Sequence, residues 1–473
     1  MPRNAVADDL RGLLGERGVL DGPAAERAYD CDAYTVDRSR PAVVALPAST
    51  EETATVVAYC AERGLPFTPR GAGTGLSGGA LPALGGVVLS TKRMTRILKV
   101  EPENRCLLAE AGVTNRRLSQ SVEAYGLHFA PDPSSGAVAT LGGNIAENAG
   151  GPHTLKYGVT AGHILGLTLV DPAGEVRHFG GRTGIGPGPD PLAVLVGSEG
   201  MLGIVTEAWC RLVPVATDVR TALASFPSVR GATEAVREIV ASGVLPAALE
   251  MMDAGILRAL RAAFGLEAPE GTEALLLVEC DGEGSRGEME AVARICMTYG
   301  AIELRQAEDA AERARLWAAR KKGVGAMGRL APTVVTHDGV IPRSRLPEML
   351  ESVYAIAAEL EIGVANIFHA GDGNLHPCFY FDDRDPDQVR RVVEAGDRVI
   401  RRCLELGGSV SGEHGIGVEK LDLLPLMFAP EDLALQGRVR GLFGESDLCN
   451  PCKVLPSGRS CSEHRPRWRG MAW

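Results

Sequence analysis

Pro66-Phe67-Thr68-Pro69 runs straight into Arg70-Gly71-Ala72-Gly73-Thr74-Gly75-Leu76-Ser77-Gly78-Gly79, and this passage from strand to loop decides what the chain can be. Glycines at 71, 73, 75, 78 and 79 strip the loop of side chains, so successive backbone N–H groups can turn toward one anion. The hydroxyls of Thr74 and Ser77 add donors. A pyrophosphate suits such a loop. The Gly-Lys-Ser/Thr of a Walker loop is missing, and the spacing leads to Leu81-Pro82 instead of the amphipathic helix of a dinucleotide fold. Taken alone, the same residues also read as a glycine-rich structural turn.

Around the loop, a length of 473 residues exceeds one compact core, so two or three units are expected. The 58 glycines are about 12% of the chain against a usual ~7%, and their clustering marks where chemistry should be sought. With 45% hydrophobic residues, general disorder is excluded. Lys and Arg number 49 against 60 Asp and Glu, and the resulting net charge of -11 disfavours nucleic-acid binding. The basic run Arg313 to Arg320-Lys321-Lys322 reads as a solvated helix face. No apolar run reaches the roughly 18 residues of a membrane helix, and the start lacks a signal peptide's apolar stretch. A cytoplasmic protein is expected, without membrane insertion, and associated with a membrane only through partner subunits. Most of the 11 cysteines are scattered singly in apolar segments, which reads as reduced thiols and not a disulfide framework.

Residues 1–40 read as an N-terminal helical segment. From Pro41, short strands alternate with helices. Val43-Val44-Ala45-Leu46 is a strand, and Ser49-Thr50-Glu51-Glu52 is a capping box that opens a helix to Arg63. Val87 to Ser90 is a further strand, Leu118, Val122 and Tyr125 mark a helix, and Ile164 to Val170 with Glu175 to Phe179 form a hairpin. After Pro214 the texture changes to longer helices (228–242, 285–299, 308–321, 345–361, 386–406) interleaved with strands (274–280, 363–369, 375–381). Helices on an antiparallel sheet, an α+β unit, fit this order. The expected divisions are 41–217, 218–420 and a C-terminal segment 421–456 returning to the first domain, with polar, aperiodic residues 457–473 as a flexible tail.

Two more glycine clusters follow the first. One runs from Pro131-Asp132-Pro133-Ser134-Ser135-Gly136 through Thr140-Leu141-Gly142-Gly143-Asn144-Ile145-Ala146-Glu147-Asn148-Ala149-Gly150-Gly151, and the other is Val196-Gly197-Ser198-Glu199-Gly200-Met201-Leu202-Gly203-Ile204-Val205. Three such clusters in this order resemble the FAD-binding domain of the vanillyl-alcohol-oxidase type of enzyme. Over residues 40 to 456 the chain is similar to the FAD-linked subunit of glycolate oxidase and to D-lactate dehydrogenases. The resemblance implies an α+β fold: a two-subdomain FAD-binding domain plus an α+β substrate (cap) domain with an antiparallel sheet. It also implies that Arg70, Gly71, Ala72, Gly73, Thr74, Gly75, Leu76, Ser77, Gly78, Gly79, Pro133, Ser134, Thr140, Gly143, Asn144, Gly150, Gly200, Ile204 and Val205 line the cofactor. Relatives with covalent flavin place a histidine inside the first loop; none occurs between Arg70 and Gly79, so non-covalent FAD is expected. The Gly-Lys-Thr followed by Gly-Tyr-Asp-Leu usual in similar proteins is replaced by the glycine-proline run Gly181 to Leu192, so packing beside the flavin is expected to differ.

Phe368-His369-Ala370-Gly371-Asp372-Gly373-Asn374-Leu375-His376 places two imidazoles on either side of a Gly-Asp-Gly turn between strands. The spacing fits no zinc finger or helical pair, and hairpin histidines bonded to backbone remain a reading beside metal ligation. Ser411-Gly412-Glu413-His414-Gly415 adds a carboxylate and an imidazole, and two His with one Glu form a divalent-metal set. The resemblance implies that His369, His376 and Glu413 bind the metal (zinc, manganese or iron), with His414 as candidate base. Alternation along an extended segment would send Glu413 and His414 to opposite sides. Arg320 matches the position where relatives hold the substrate carboxylate, with an exposed helix arginine as the other reading. Asn374 either bonds substrate or stabilises the turn.

These assignments imply oxidation of a 2-hydroxy acid: the hydroxyl proton goes to a base and the α-hydrogen to the flavin as hydride, with a metal acidifying the hydroxyl. The lysine that relatives acting on dicarboxylates carry before Thr336-His337-Asp338-Gly339 is absent, which favours glycolate or D-lactate. Electrons would pass to a non-NAD acceptor, and relatives imply iron–sulfur and second flavoprotein-like subunits as partners. The alternatives are an alkyl-glycerone-phosphate synthase-like transferase and a flavin-loaded non-catalytic subunit. Cys449-Asn450-Pro451-Cys452 replaces an Asn-Pro-Gly ending; with Cys461 and His464 it could form a structural zinc site, and surface thiols are the preferred reading.

Overall fold

The computed structural model describes residues 3–184, 186–444 and 447–455. It divides into two compact units. The first comprises the chain up to Gly150, Val159–Val215, and the chain from Glu413; the second comprises Gly151–Gly158 and Ala216–Gly412. The sequence reading sets its divisions at 217 and 420 and does not separate 151–158. Cys461, His464 and the tail from 457 lie outside the described residues.

Among the described residues the first unit holds two larger sheets and a two-stranded pair, Leu127–His128 with Val213–Pro214. Strands Val43–Ala45, Val87–Ser90 and Phe67–Arg70 are parallel, with Val19–Leu20 antiparallel at one edge. Between them, Ser49 caps helix Thr50–Glu62 by accepting from Glu52 N, while the Glu52 carboxylate reaches back to Ala48 N. The second sheet is antiparallel, ordered Ile97–Glu101, Cys106–Glu110, Ile204–Arg211, Ile164–Val170, Val176–Gly180. Helix Asn115–Gln120 stops short of the predicted length. The chain turns left-handed at Gly126, and Tyr125 faces solvent, not core. Cys449 and Cys452 are buried, against the surface reading, because the C-terminal segment bonds alongside Phe67.

The second unit is a nine-stranded antiparallel sheet with helices on both faces, as the α+β reading expects. Strands Ala248–Asp253 and Ala274–Asp281 are buried at every position because both faces are covered. Leu249, Met251, Leu276 and Val278 point to the face packed by helices Val229–Ala241, Ser285–Thr298, Leu346–Glu359 and Pro386–Glu405. Met252, Leu275, Ala365 and Ile367 point to the other, packed by Ala254–Phe264 and the end of Ala310–Ala326. By the same two-residue alternation Glu250 and His369 lie on that second face. Gly323 lets helix Ala310–Ala326 approach closely, since a methyl there would stand 2.4 Å from Ile367 Cδ1. Among the described residues, no helix is long and apolar enough to cross a membrane.

Gly408, where the chain leaves helix Pro386–Glu405, has no room for a side chain: a methyl would stand 2.0 Å from the Val340 carbonyl oxygen. Gly408→Ala must displace strand backbone, so it should cost about 1–3 kcal/mol. The check is the thermal midpoint, which should fall by several degrees; an unchanged midpoint contradicts the packing.

Candidate functional site

In the first unit the three glycine clusters converge. A methyl on Gly71 would stand 2.3 Å from Thr140 Oγ1, and one on Gly200 would stand 3.0 Å from Pro69 Cγ. Among the described residues, no N–H group from Gly73 to Gly79 donates to a protein acceptor, although Ser77, Gly78 and Gly79 are buried. Thr140 Oγ1 is likewise buried without a hydrogen bond. Buried donors require acceptors. A run of such N–H groups on a glycine loop therefore fits the diphosphate of a dinucleotide cofactor.

Other predicted cofactor residues have structural tasks. The Arg70 guanidinium stacks 5.3 Å from the Tyr29 ring centroid and lies against Gly73. The Asn144 amide donates to Asn115, which in turn donates to Pro131 O at 2.8 Å, so this pair holds the 131–136 turn. Ser134 is exposed, Gly150 and Ile204 are buried, and Gly143, Pro133 and Val205 are half-buried.

His414 is tied to the same loop. Ser77 Oγ donates to His414 O at 2.8 Å, and Glu199 accepts from Ile416 N at 2.6 Å and Gly417 N at 2.7 Å. The glycine-bracketed segment bends, with positive φ at Gly415 and Gly417. The chain also bends at residues 412–414, and His414 Nε2 lies 4.0 Å from Glu413 Oε1, so the two side chains do not diverge as strict alternation predicts.

In the second unit the hairpin brings His369 and His376 together, ring centroids 5.1 Å apart and planes at 88°. His369 Nδ1 lies 2.7 Å from Glu250 Oε1, directly across the ladder. Glu250 Oε2 accepts from Arg320 Nε at 2.6 Å and lies 2.6 Å from Nη2. Burial alone would raise the Glu250 pKa, but the charges of His369 and Arg320 outweigh it and hold the carboxyl below its ordinary range. Arg320 is buried, which removes it from the solvated face read for its helix.

Behind His376 stands Asp338, with Oδ1 3.8 Å from Nδ1; its Oδ2 accepts from Ser411 Oγ at 2.6 Å and Gly412 N at 2.9 Å. Asp338 thus anchors the residue that immediately precedes Glu413. Asn374 Oδ1 is buried without a hydrogen bond, while its backbone pairs with His369 and Val340. Glu250, Asp338 and Glu199 were missed as site residues. The available signal for Glu250 was an acidic residue inside the apolar run Ala248-Leu249-Glu250-Met251-Met252.

Comparison with known proteins agrees with this architecture. The family model of the FAD binding domain matches residues 41–180, and that of the FAD linked oxidases, C-terminal domain, matches residues 215–454. The chain belongs to the FAD-linked oxidases. It is 42% identical over 437 residues to glycolate oxidase subunit GlcD of Escherichia coli strain K12, covering 92% of this chain and 88% of that one. To D-lactate dehydrogenase of Archaeoglobus fulgidus it is 35% identical over 438 residues, covering 90% and 96%. Among solved structures, 4-ethylphenol oxidase from Gulosibacter chungangensis superposes with a TM-score of 0.78 at 17% identity, over 96% of this chain and 97% of that one. The last match concerns fold alone, and bears out the vanillyl-alcohol-oxidase type expected for this oxidase.

Two tests follow from the first unit. Gly73 has φ +73, and a methyl there would stand 2.2 Å from Arg70 Nη2. Strain of about 1–2 kcal/mol in the left-handed region should weaken FAD binding by Gly73→Ala roughly tenfold, read by titrating apoprotein; unchanged affinity contradicts the loop assignment. Glu147 Oε2 is shut off from solvent without a hydrogen bond. Burial, then the charges of Glu199 and Asp32, push Glu147 well above the ordinary carboxyl range. The folded state then keeps this proton to higher pH than the unfolded chain, so stability declines as pH rises past about 4.3. Glu147→Gln should therefore exceed the parent in urea midpoint by more at about pH 8 than at about pH 5; an equal margin contradicts this.

Proposed function

We propose that this oxidase is an FAD-dependent dehydrogenase that converts a small 2-hydroxy acid, glycolate or D-lactate, to the 2-oxo acid. Electrons pass from the flavin to an acceptor other than NAD. The observation that carries the proposal is the buried array Arg320–Glu250–His369 beside His376, which combines a carboxylate-binding cation with paired imidazoles. The names of the relatives supply the substrate class.

The residues assigned to FAD are Arg70 to Gly79, Pro133, Ser134, Thr140, Gly143, Asn144, Gly150, Gly200, Ile204 and Val205. Support comes from the unpaired N–H groups of the first loop and the Thr140 hydroxyl. His369, His376 and Glu413 are the proposed ligands of a divalent ion. His369 holds Nδ1 2.7 Å from the Glu250 carboxylate, the usual backing of a ligating histidine, and His376 turns Nδ1 toward Asp338 at 3.8 Å, so both would ligate through Nε2. When bound, FAD accepts the α-hydrogen with its electron pair and the ion makes the substrate hydroxyl more acidic.

The protein's own tasks follow. Arg320 orients the substrate carboxylate, and Asn374 Oδ1 is available to accept from the hydroxyl. His414, held through its carbonyl by Ser77, takes the hydroxyl proton as the α-hydrogen leaves. Arg343, at the far end of the segment before which dicarboxylate-acting relatives carry a lysine, donates to Gly371 O at 3.3 Å, which ties this cation to the hairpin turn. That supports a monocarboxylate and disfavours a phosphate-bearing substrate of the alkyl-transferase kind. A cytoplasmic location, with iron–sulfur and flavoprotein-like partner subunits receiving the electrons, completes the proposal.

Anaerobic mixing with glycolate or D-lactate should bleach the flavin. His414→Asn should retain FAD yet slow bleaching by about 10²–10⁴-fold. Failure of every short 2-hydroxy acid to bleach the wild-type protein, or bleaching by His414→Asn at the parent rate, contradicts the proposal.

A further inference from the structure

Glu250 touches two groups that the proposed chemistry uses for different purposes. We propose that Glu250 is a shared positioning residue, whose two oxygens set the ligating nitrogen of His369 and the presenting edge of Arg320 at once. The inference rests on reading His369 as a metal ligand and Arg320 as the carboxylate anchor.

Stability does not account for this carboxylate. Glu250 is fully buried in a strand whose other residues are almost all apolar, where an apolar side chain of similar volume would pack without desolvating a charge. Its geometry is specific instead. Oε2 takes Arg320 Nε at 2.6 Å with Nη2 at the same distance, so the Nη1–Nη2 edge of the guanidinium is left to offer two parallel N–H groups to a carboxylate. Oε1 takes His369 Nδ1 at 2.7 Å. An ionised carboxylate only accepts, so Nδ1 must carry a proton, and the lone pair that would ligate a metal can sit only on Nε2. Since both contacts share one planar carboxylate, neither partner can be released without disturbing the other.

Glutamine cannot replace this arrangement. Its one oxygen can serve Arg320 or His369, while its NH2 opposes the donor of whichever partner remains. Turned toward His369, the amide would favour the tautomer with hydrogen on Nε2.

The test compares FAD-loaded wild-type protein with Glu250→Gln and Glu279→Gln. Glu279 is a control of the same kind: a buried carboxylate on the neighbouring strand, bound to Thr221, Trp317 and His153. Zn²⁺ affinity is measured by chelator competition, and KM and kcat for D-lactate separately. Glu250→Gln should lose about 10–100-fold in Zn²⁺ affinity and raise KM, with FAD content unchanged, whereas Glu279→Gln should keep both values whatever its thermal midpoint. Loss of Zn²⁺ affinity without a KM change, the reverse, or equal losses in Glu279→Gln overturn the shared role. Wild-type protein that binds no Zn²⁺ overturns the ligand reading itself, a result distinct from wild-type-like binding by Glu250→Gln. If Glu250→Gln does not fold, ¹⁵N-histidine spectra of the wild-type protein decide the point: His369 should be protonated at Nδ1, and protonation at Nε2 alone overturns the proposal.

Discussion

A carboxylate removed from water must find donors or cations for its oxygens, and that requirement organises both units. Glu250 divides its two oxygens between a guanidinium and an imidazole. Asp338 gives one oxygen to Ser411 Oγ and the backbone that leads into Glu413, and its other oxygen lies 3.8 Å from His376 Nδ1. Glu199 binds the two N–H groups that follow His414 and its glycine. Breaking such an arrangement by deleting one member costs far more than a surface contact, because it strands a buried charge. His369 and Arg320 are therefore oriented by a buried carboxylate, and the backbone after His414 by another.

The sheet makes this orientation possible. Glu250 and His369 are paired residues of antiparallel neighbours, so their side chains leave the same face at the same height. Gly323, one helical turn beyond Arg320, brings that helix down onto the face by contact with Ile367. Glu250, His369 and Arg320 thus stand on two strands and a helix, which suits groups that must hold their geometry.

Much of this was legible in the sequence where residue type encodes a local demand. The loop from Gly71 to Gly79, the capping box at Ser49 and Glu52, and the His369–His376 hairpin are all short-range patterns. Four of the five helix bounds read in the second half were close for the same reason, whereas helix Ala310–Ala326 runs five residues past its predicted end and Ala254–Phe264 was not foreseen. What stayed hidden depends on distant pairing. The partner of Glu250 lies 119 residues away, and only ladder register makes it His369. Segment 151–158 joins the second unit through His153 with Glu279 and Lys156 with Asp281, contacts that no local composition announces. Burial of Cys449 and Cys452 follows from pairing of the chain end beside Phe67, again a tertiary fact. Cys452 carries φ +60 at the place where the resemblance implies a glycine, a departure legible in the sequence although its backbone conformation was not.

The central claim is that hydrogen leaves C2 of a 2-hydroxy acid for the flavin while the protein takes the hydroxyl proton. Stopped-flow reduction with D-lactate deuterated at C2 tests it most directly. The account predicts flavin reduction several times slower than with protiated substrate. Reduction at the same rate for both isotopologues, or no reduction by either, would contradict it.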